Sequence, residues 1–351
     1  MSKLSMARCP DYQFFDLTSD GLVNNAKGRC KDKLQAIPLP DLRFKRVLDV
    51  GCDFGFWSFL AANKGASKVI GLDRNRKVQG QFFDLIASNK EVARAHPYLN
   101  CCDFIEINLG QQWFDVGAFD HIFMFSMYHH VYENCGDHQA IFYWLWRQCA
   151  EGGEVLWENP LDLQDSVANA HITGMFKRDQ YTRENILAAM ALYFDVEYIG
   201  EAMHEPHRFV YRLKKKQHIH LDVLDARMES GAGGATPAFL YDDARRSKEF
   251  AHITGHYPVA GSLNLRTSKL FDWSKGYLRA QVLDVADRSV GLGGAWALRP
   301  LRLYPVLVNN QRGWVFRFEG ENYPENFVEV VSDIRFRDII AGEAVRLTRF
   351  L

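Results

Sequence analysis

The residues that first invite a chemical reading are Asp49-Val50-Gly51-Cys52-Asp53-Phe54-Gly55. An acidic residue closes an apolar run, and two glycines four positions apart follow it. Glycine lets the backbone turn tightly and approach a ligand closely. The helix start beyond it offers free N–H donors. A second carboxylate, Asp73, ends the next apolar run, 22 residues after Gly51. A carboxylate so placed can accept both hydroxyls of a ribose. Further along, Tyr128-His129-His130 follows another apolar run. A histidine there can take a proton from an acceptor hydroxyl near neutral pH, so His129 and His130 are candidate catalytic residues. An acceptor phosphate or carboxylate would need no base, only positioning.

The second half of the chain carries a different set. Gly231-Ala232-Gly233-Gly234-Ala235-Thr236 is a small-residue loop of the kind that wraps phosphates with backbone N–H groups. GHYPVAGSLNLR (255–266) and ENYPENFVEVVSDIRFRD (321–338) follow it. There is no Walker lysine motif and no protein-kinase motif set.

Several elements must hold these residues in place. RVLDV (46–50), KVIGLD (68–73), CDFIEIN (102–108), FDHIFMFSM (119–127) and EGGEVLWENP (151–160) read as strands. WSFLAANKG, QGQFFDLIASNKEVARA and HQAIFYWLWRQCA (138–150) read as helices between them. The aromatic cluster Phe142, Tyr143, Trp144 and Trp146 reads as helix core. Strands alternating with helices predict a parallel sheet covered on both faces. FDVEYIGEA and HRFVYRLKK predict a closing antiparallel pair. Residues 1–40 read as a polar, irregular extension, and RLKKKQHIH (212–220) as a linker. Beyond it, short strand-like runs separated by Gly and Pro predict a mostly β barrel or sandwich.

With 351 residues, about two domains are expected at ~150 residues each. The expected division is an extension (1–40), an α/β domain (41–216) and a β domain (217–351). The net charge is −1. Residues 1–216 hold 25 basic and 27 acidic side chains, and 217–351 hold 17 and 16. Neither half has the basic excess of a non-specific nucleic-acid binder. No run approaches the ~18 apolar residues of a membrane span, and no secretory leader is visible. All seven cysteines precede residue 150, with no C-x-x-C pair. That pattern argues for buried thiols in a reducing cytoplasm rather than a disulfide framework or zinc site.

The ordered set VLDVGCDFG, Asp73, AFDHIFMFSMYHHV and EGGEVLWENP resembles class I S-adenosylmethionine-dependent methyltransferases over roughly residues 40–215. The resemblance implies a Rossmann-like fold. Asp49, Gly51 and Gly55 would cradle the methionine part of the cofactor, with Cys52 and Asp53 also cofactor-binding, Asp73 would bind its ribose, and Glu106 or Asn108 its adenine. Asp53 stands where the family commonly has the middle glycine, which predicts a less open loop. A dinucleotide site is the rival reading, but G-x-G-x-x-G is absent.

The three C-terminal stretches, in their order and spacing, resemble archaeal CTP-dependent riboflavin kinases over roughly 218–351, which implies a cradle-loop β-barrel. By that resemblance Ser262 and Asn264 are metal ligands, of the oxygen type that Mg²⁺ prefers. Gly231, Ala232, Gly233, Gly234, Ala235 and Thr236, with Ile334, Arg335, Phe336 and Arg337, would hold the CTP. Glu329 would contact the acceptor, as substrate-binding or catalytic carboxylate. Glu321 replaces a flavin-contacting Thr, which argues against flavin itself. Together the halves imply an enzyme that methylates, and with CTP and Mg²⁺ phosphorylates, a small-molecule or glycan acceptor. The other expectations are an RNA (tRNA) methyltransferase with a β-barrel binding module, and a barrel that only oligomerises or senses a nucleotide.

Overall fold

The computed structural model describes residues 13–78, 81–113, 115–202, 208–217, 219, 222–229, 250–251, 262–271, 273, 278–280, 301–309, 311–318, 324–332 and 344–349. The chain opens with a hairpin, β1 (Phe14–Leu17) and β2 (Val23–Lys27), then a helix, α1 (Arg29–Ala36). This corrects the reading of 1–40 as irregular. Phe15, Cys30 and Ile37 belong to the core, and apolar residues so scattered among polar ones leave little periodicity to read.

The first sheet grows from β3 (Arg46–Val50), α2 (Phe56–Asn63) and β4 (Lys68–Asp73). A small hairpin, β5 (Arg76–Val78) with β6 (Gln81–Phe83), precedes α3 (Leu85–Ala95) and β7 (Cys102–Glu106). Then come β8 (Phe119–Phe125), α4 (Tyr128–Cys135), α5 (His138–Gln148) and β9 (Cys149–Asn159). The short helices α6 (Ser166–His171) and α7 (Met175–Gln180) lead into α8 (Arg183–Tyr193), β10 (Phe194–Ala202) and β11 (Arg208–Lys215). Helix starts are marked by side-chain caps: Asp84, Asp137, Asp165 and Thr182 each accept from backbone N–H groups of the following turn.

The strand order is β10-β11-β9-β8-β3-β4-β7, with only β11 antiparallel to its neighbours. Alternate residues feed the two faces. Leu48, Val50, Ile122, Met124, Val155 and Trp157 pack on one side. Val47, Val69, Phe123, Phe125 and Leu156 pack on the other. The strands run outward from β3 in one direction and from β8 in the other. The carboxyl ends of β3 and β8 therefore flank a topological switch, where ligands bind in open α/β sheets.

The linker expected at 212–220 begins too early. β11 runs to Lys215, with Leu213 buried and Lys214 exposed in ordinary strand alternation. Lys215 donates to the Cys149 carbonyl and lies 4.5 Å from the Trp146 ring, so it belongs to the sheet and not to a solvated linker.

A second sheet comprises β12 (Asp222–Met228), β13 (Leu263–Thr267), β14 (Leu278–Ala280), β15 (Leu301–Val308), β16 (Gln311–Phe318), β17 (Phe327–Val331) and β18 (Ala344–Arg349). All its pairings are antiparallel, and β15 pairs with both β16 and β18. Six strands, β15-β16-β17-β13-β12-β18, therefore close into the expected barrel around Leu265, Val306, Val315, Val330 and Leu347. Among the described residues no helix is long and apolar enough to cross a membrane. The six described cysteines are free.

Candidate active site

Between β3 and α2 the chain makes one compact turn. Gly51 and Gly55 have φ of 82° and 81°, the left-handed region that glycine enters at no steric cost. A Cβ on Gly51 would lie 2.7 Å from the Met127 side chain, and one on Gly55 2.8 Å from the Phe59 ring. Asp53 also lies in the left-handed region, at φ 47°. The glycine-like backbone is thus kept by Asp, which tolerates that region through its short polar side chain. Gly51 and Cys52 donate their N–H groups to the Leu72 carbonyl at 2.8 and 3.0 Å, tying the turn to β4. Asn89 of α3 donates to the Asp53 carbonyl at 2.7 Å.

Three carboxylates meet here. Asp49 is 1% exposed and accepts from the Ser58 hydroxyl at 2.7 Å. Burial, with Asp73 and Asp53 nearby, pushes its carboxyl up to about 7, against the Ser58 hydrogen bond. Asp73 accepts from the Asp53 N–H at 2.7 Å and from the Arg74 N–H at 2.7 Å, one on each oxygen. Cys52 is wholly buried, and burial holds its thiol well above the usual range. The expected cofactor-binding residues Asp49, Gly51, Cys52, Asp53, Gly55 and Asp73 are therefore one cluster. Glu106 lies exposed beside Asp73 in register on β7. Asn108, two residues on, accepts from Asn134 at 2.9 Å and donates to Gln111 at 2.6 Å.

Met127, which touches Gly51, leads into α4 and brings His129 and His130 beside the turn. Their rings lie 4.1 Å apart, and His171 of α6 stands 4.4 Å from His130. His129 is 1% exposed. Burial, followed by the charges of His130, Arg208, His171 and Lys33, holds it well below the usual imidazole range.

Sequence reasoning missed the polar groups under these histidines. Lys33 of α1 pairs with Glu158 of β9 at 2.9 Å, both buried, and donates to the Ser126 hydroxyl at 2.8 Å. The Ser126 hydroxyl in turn donates to Glu158 at 3.0 Å. Arg208 of β11 pairs with Asp165, the cap of α6, and both are buried. Charged residues at strand ends are a usable signal for Glu158; nothing in the sequence marks Lys33 as buried.

In the barrel, Ser262 donates to Glu329 at 2.6 Å, and Asn264 stands opposite Glu329 in the β13–β17 register. The three expected residues are thus adjacent. The Asn264 amide oxygen is buried without a hydrogen-bond partner. Gly231 to Thr236, Glu321 and Ile334 to Arg337 lie outside the described residues.

Residues 22–221 match the family model described as Methyltransferase domain. No curated protein matches the sequence. Among solved structures, similar chains include an S-adenosylmethionine-dependent methyltransferase from Mesorhizobium loti at 17% identity. It covers 50% of this chain and 94% of that one, with a TM-score of 0.36. A SAM-dependent methyltransferase from Aquifex aeolicus is 14% identical, covering 54% and 100%, with a TM-score of 0.36. Geranyl diphosphate C-methyltransferase from Streptomyces coelicolor A3(2) is 14% identical, covering 53% and 77%, again at 0.36.

Proposed function

The chain belongs to the Methyltransferase domain family, and on that premise we propose that it transfers a methyl group from S-adenosylmethionine to an acceptor held at the carboxyl ends of β8 and β9. The observation that carries this reading is the left-handed Gly51–Gly55 turn locked to the Asp73 carboxylate at the topological switch. The residues fit the cofactor. Asp73 accepts backbone N–H groups of Asp53 and Arg74, which fix its carboxylate at the end of β4, where a ribose diol would meet it. On this reading Asp49, beneath the turn, would lie under the methionine part, and Glu106 or Asn108 would reach the adenine.

When bound, the cofactor supplies an electrophilic methyl group on a sulfonium. The chain's own residues orient it through the turn, keep water out with half-buried Met127 and buried Tyr128 at the start of α4, and set the acceptor beside His129 and His130. His129 is uncharged at neutral pH, so it is free to accept an acceptor proton. Calorimetry with S-adenosylmethionine on wild type and Asp73→Ala tests the assignment: binding by wild type and loss in the variant support it, and equal affinity sinks it.

We further propose a CTP- and Mg²⁺-dependent kinase activity in the barrel, acting on the same small-molecule or glycan acceptor in the cytoplasm. The clustering of Ser262, Asn264 and Glu329 supports it, together with the orphaned Asn264 oxygen, an apt donor for a hard cation. Ser262 and Asn264 would hold the metal, whose chemistry is to neutralise phosphate charge, and Glu329 would face the acceptor. The rival reading, a tRNA methyltransferase with a binding barrel, predicts a salt-dependent tRNA shift. Its absence, with CTP stabilisation, favours the kinase.

A further inference from the structure

The three imidazoles beside the Gly51 turn form a ramp. His171 is exposed, His130 half-buried and His129 buried. Ring centroids step 4.4 Å from His171 to His130 and 4.1 Å from His130 to His129. At its inner end, neither ring nitrogen of His129 has a hydrogen-bond partner. A buried polar group left so costs free energy unless something supplies the missing bond. Among the described residues no three His, Cys, Asp or Glu side chains are arranged to hold a metal ion.

The fixed charges around the ramp are paired off, so a group that enters as an ion must bring its counter-charge with it. Lys33 reaches in from α1 and Arg208 from β11, and with His130 and His171 they supply the charges that bear on His129. The facing acids are already engaged: Glu158 of β9 with Lys33, and Asp165 at the start of α6 with Arg208. Glu133, on α4 itself, is taken by Thr173 and Lys177. His138, which α5 brings against α4, is spent on Tyr128 and the Gln180 carbonyl.

We propose that His171, His130 and His129 are the receptor for an oxyanion carried by the methyl acceptor, taken up together with a proton. The inference rests on the methyltransferase reading for what the anion belongs to, since Met127 sets the ramp against the Gly51 turn. The uncharged His129 offers one donor and one acceptor; protonated, it offers two donors. An anion beside the ring favours that protonated form. Proton and anion therefore bind with mutual reinforcement. The chemistry is shared by a phosphoryl group and a carboxylate.

The test is calorimetry of the full chain with sulfate, which does not titrate in the relevant range, and separately with acetate. Each is run at pH 7.5 and 6.0 in two buffers of different ionisation enthalpy. The expected result is proton uptake on binding and an affinity gain of roughly tenfold per pH unit for one linked proton. His129→Gln should lose this linkage. Because that variant changes a buried site, His171→Gln at the exposed end serves as well, with at least a tenfold loss expected. Tighter sulfate binding assigns a phosphoryl-type group, and tighter acetate binding a carboxylate. No binding of either anion, binding independent of pH, or binding unchanged in both variants overturns the proposal. S-adenosylmethionine binding is measured alongside. Its absence while the anion still binds counts against the methyltransferase reading alone, and its presence without anion binding counts against the oxyanion receptor alone.

Discussion

Asp49 sits on a strand whose other central residues, Val47, Leu48 and Val50, are all core. A lone acid in such a run is costly in its charged form, and its carboxyl is accordingly pushed up to about 7, chiefly by burial. A carboxyl raised in the folded state stabilises fully below its unfolded value near 3.8 and loses that contribution as pH rises through about 7. Wild-type stability should therefore fall across that window. Asp49→Asn keeps an oxygen for the Ser58 hydroxyl and removes the titration. Its unfolding free energy should draw ahead of wild type between about pH 4 and 7, by at most ~4 kcal/mol at ~1.4 kcal/mol per unit. Parallel pH profiles for the two proteins would show that Asp49 does not titrate there. Asp73 plays the opposite part. It is half-exposed, and two charge-assisted bonds to a ribose would each contribute about 1.5–3 kcal/mol. Asp73→Ala should weaken S-adenosylmethionine at least tenfold. It also frees the Asp53 N–H, so thermal unfolding without ligand must be read beside the affinity to separate a lost contact from a loosened turn.

At the scale of elements, α1 does more than cover the sheet. It carries Lys33 to Glu158 of β9, which is fully buried. Removing one partner of such a pair leaves a buried charge uncompensated and costs about 3–5 kcal/mol, whereas replacing both with apolar residues is often neutral. Lys33→Met should lose stability of that order in urea unfolding, and Lys33→Met with Glu158→Leu should regain most of it. Simple additivity of the two single losses would mean that the pair is not coupled. The same pair marks where the sequence stops being legible. β3, β4, β8, β9 and the turn at Gly51 declare themselves by local apolar runs ending in acid or glycine, so the Asp49–Asp73 cluster can be read from spacing. Lys33 lies in RCKDKLQA, whose composition is that of a surface segment, and its burial depends on a partner 125 positions away. Arg208 with Asp165, and His171 with His130, are likewise made by topology. In the barrel, the closure and the nearness of Ser262 to Glu329 follow from the family resemblance, while no local pattern shows that β15 is the strand that meets β18.

For the whole molecule, the two sheets divide the chain at a short interval. The last strand of the first ends at Lys215 and the first strand of the barrel begins at Asp222. Each sheet has its own apolar cluster, with Leu48 and Val47 in the first and Leu265 and Val330 in the second, and Leu307 of β15 joins the first. A chain divided between Lys216 and Asp222 should therefore give two fragments that each melt cooperatively; if neither is soluble, the halves depend on a large shared interface. The intact protein provides the sharper test of two activities. Phosphoryl transfer asks a protein mainly for positioning and charge neutralisation. In the barrel the oxygen groups available for a cation are Ser262, Asn264 and Glu329, with the Asn264 oxygen unpaired inside the protein. Mg²⁺ with CTP should raise the melting temperature of the barrel transition, CTP without Mg²⁺ should raise it less, and ATP should fall short of both if the base is read by size and hydrogen-bond pattern. Asn264→Ala should abolish Mg²⁺-dependent CTP turnover and leave S-adenosylmethionine affinity as it was. If CTP neither stabilises the intact chain nor is turned over with any acceptor, the barrel holds no phosphoryl donor. Ser262 and Glu329 are then a structural hydrogen bond at the edge of β13 and β17.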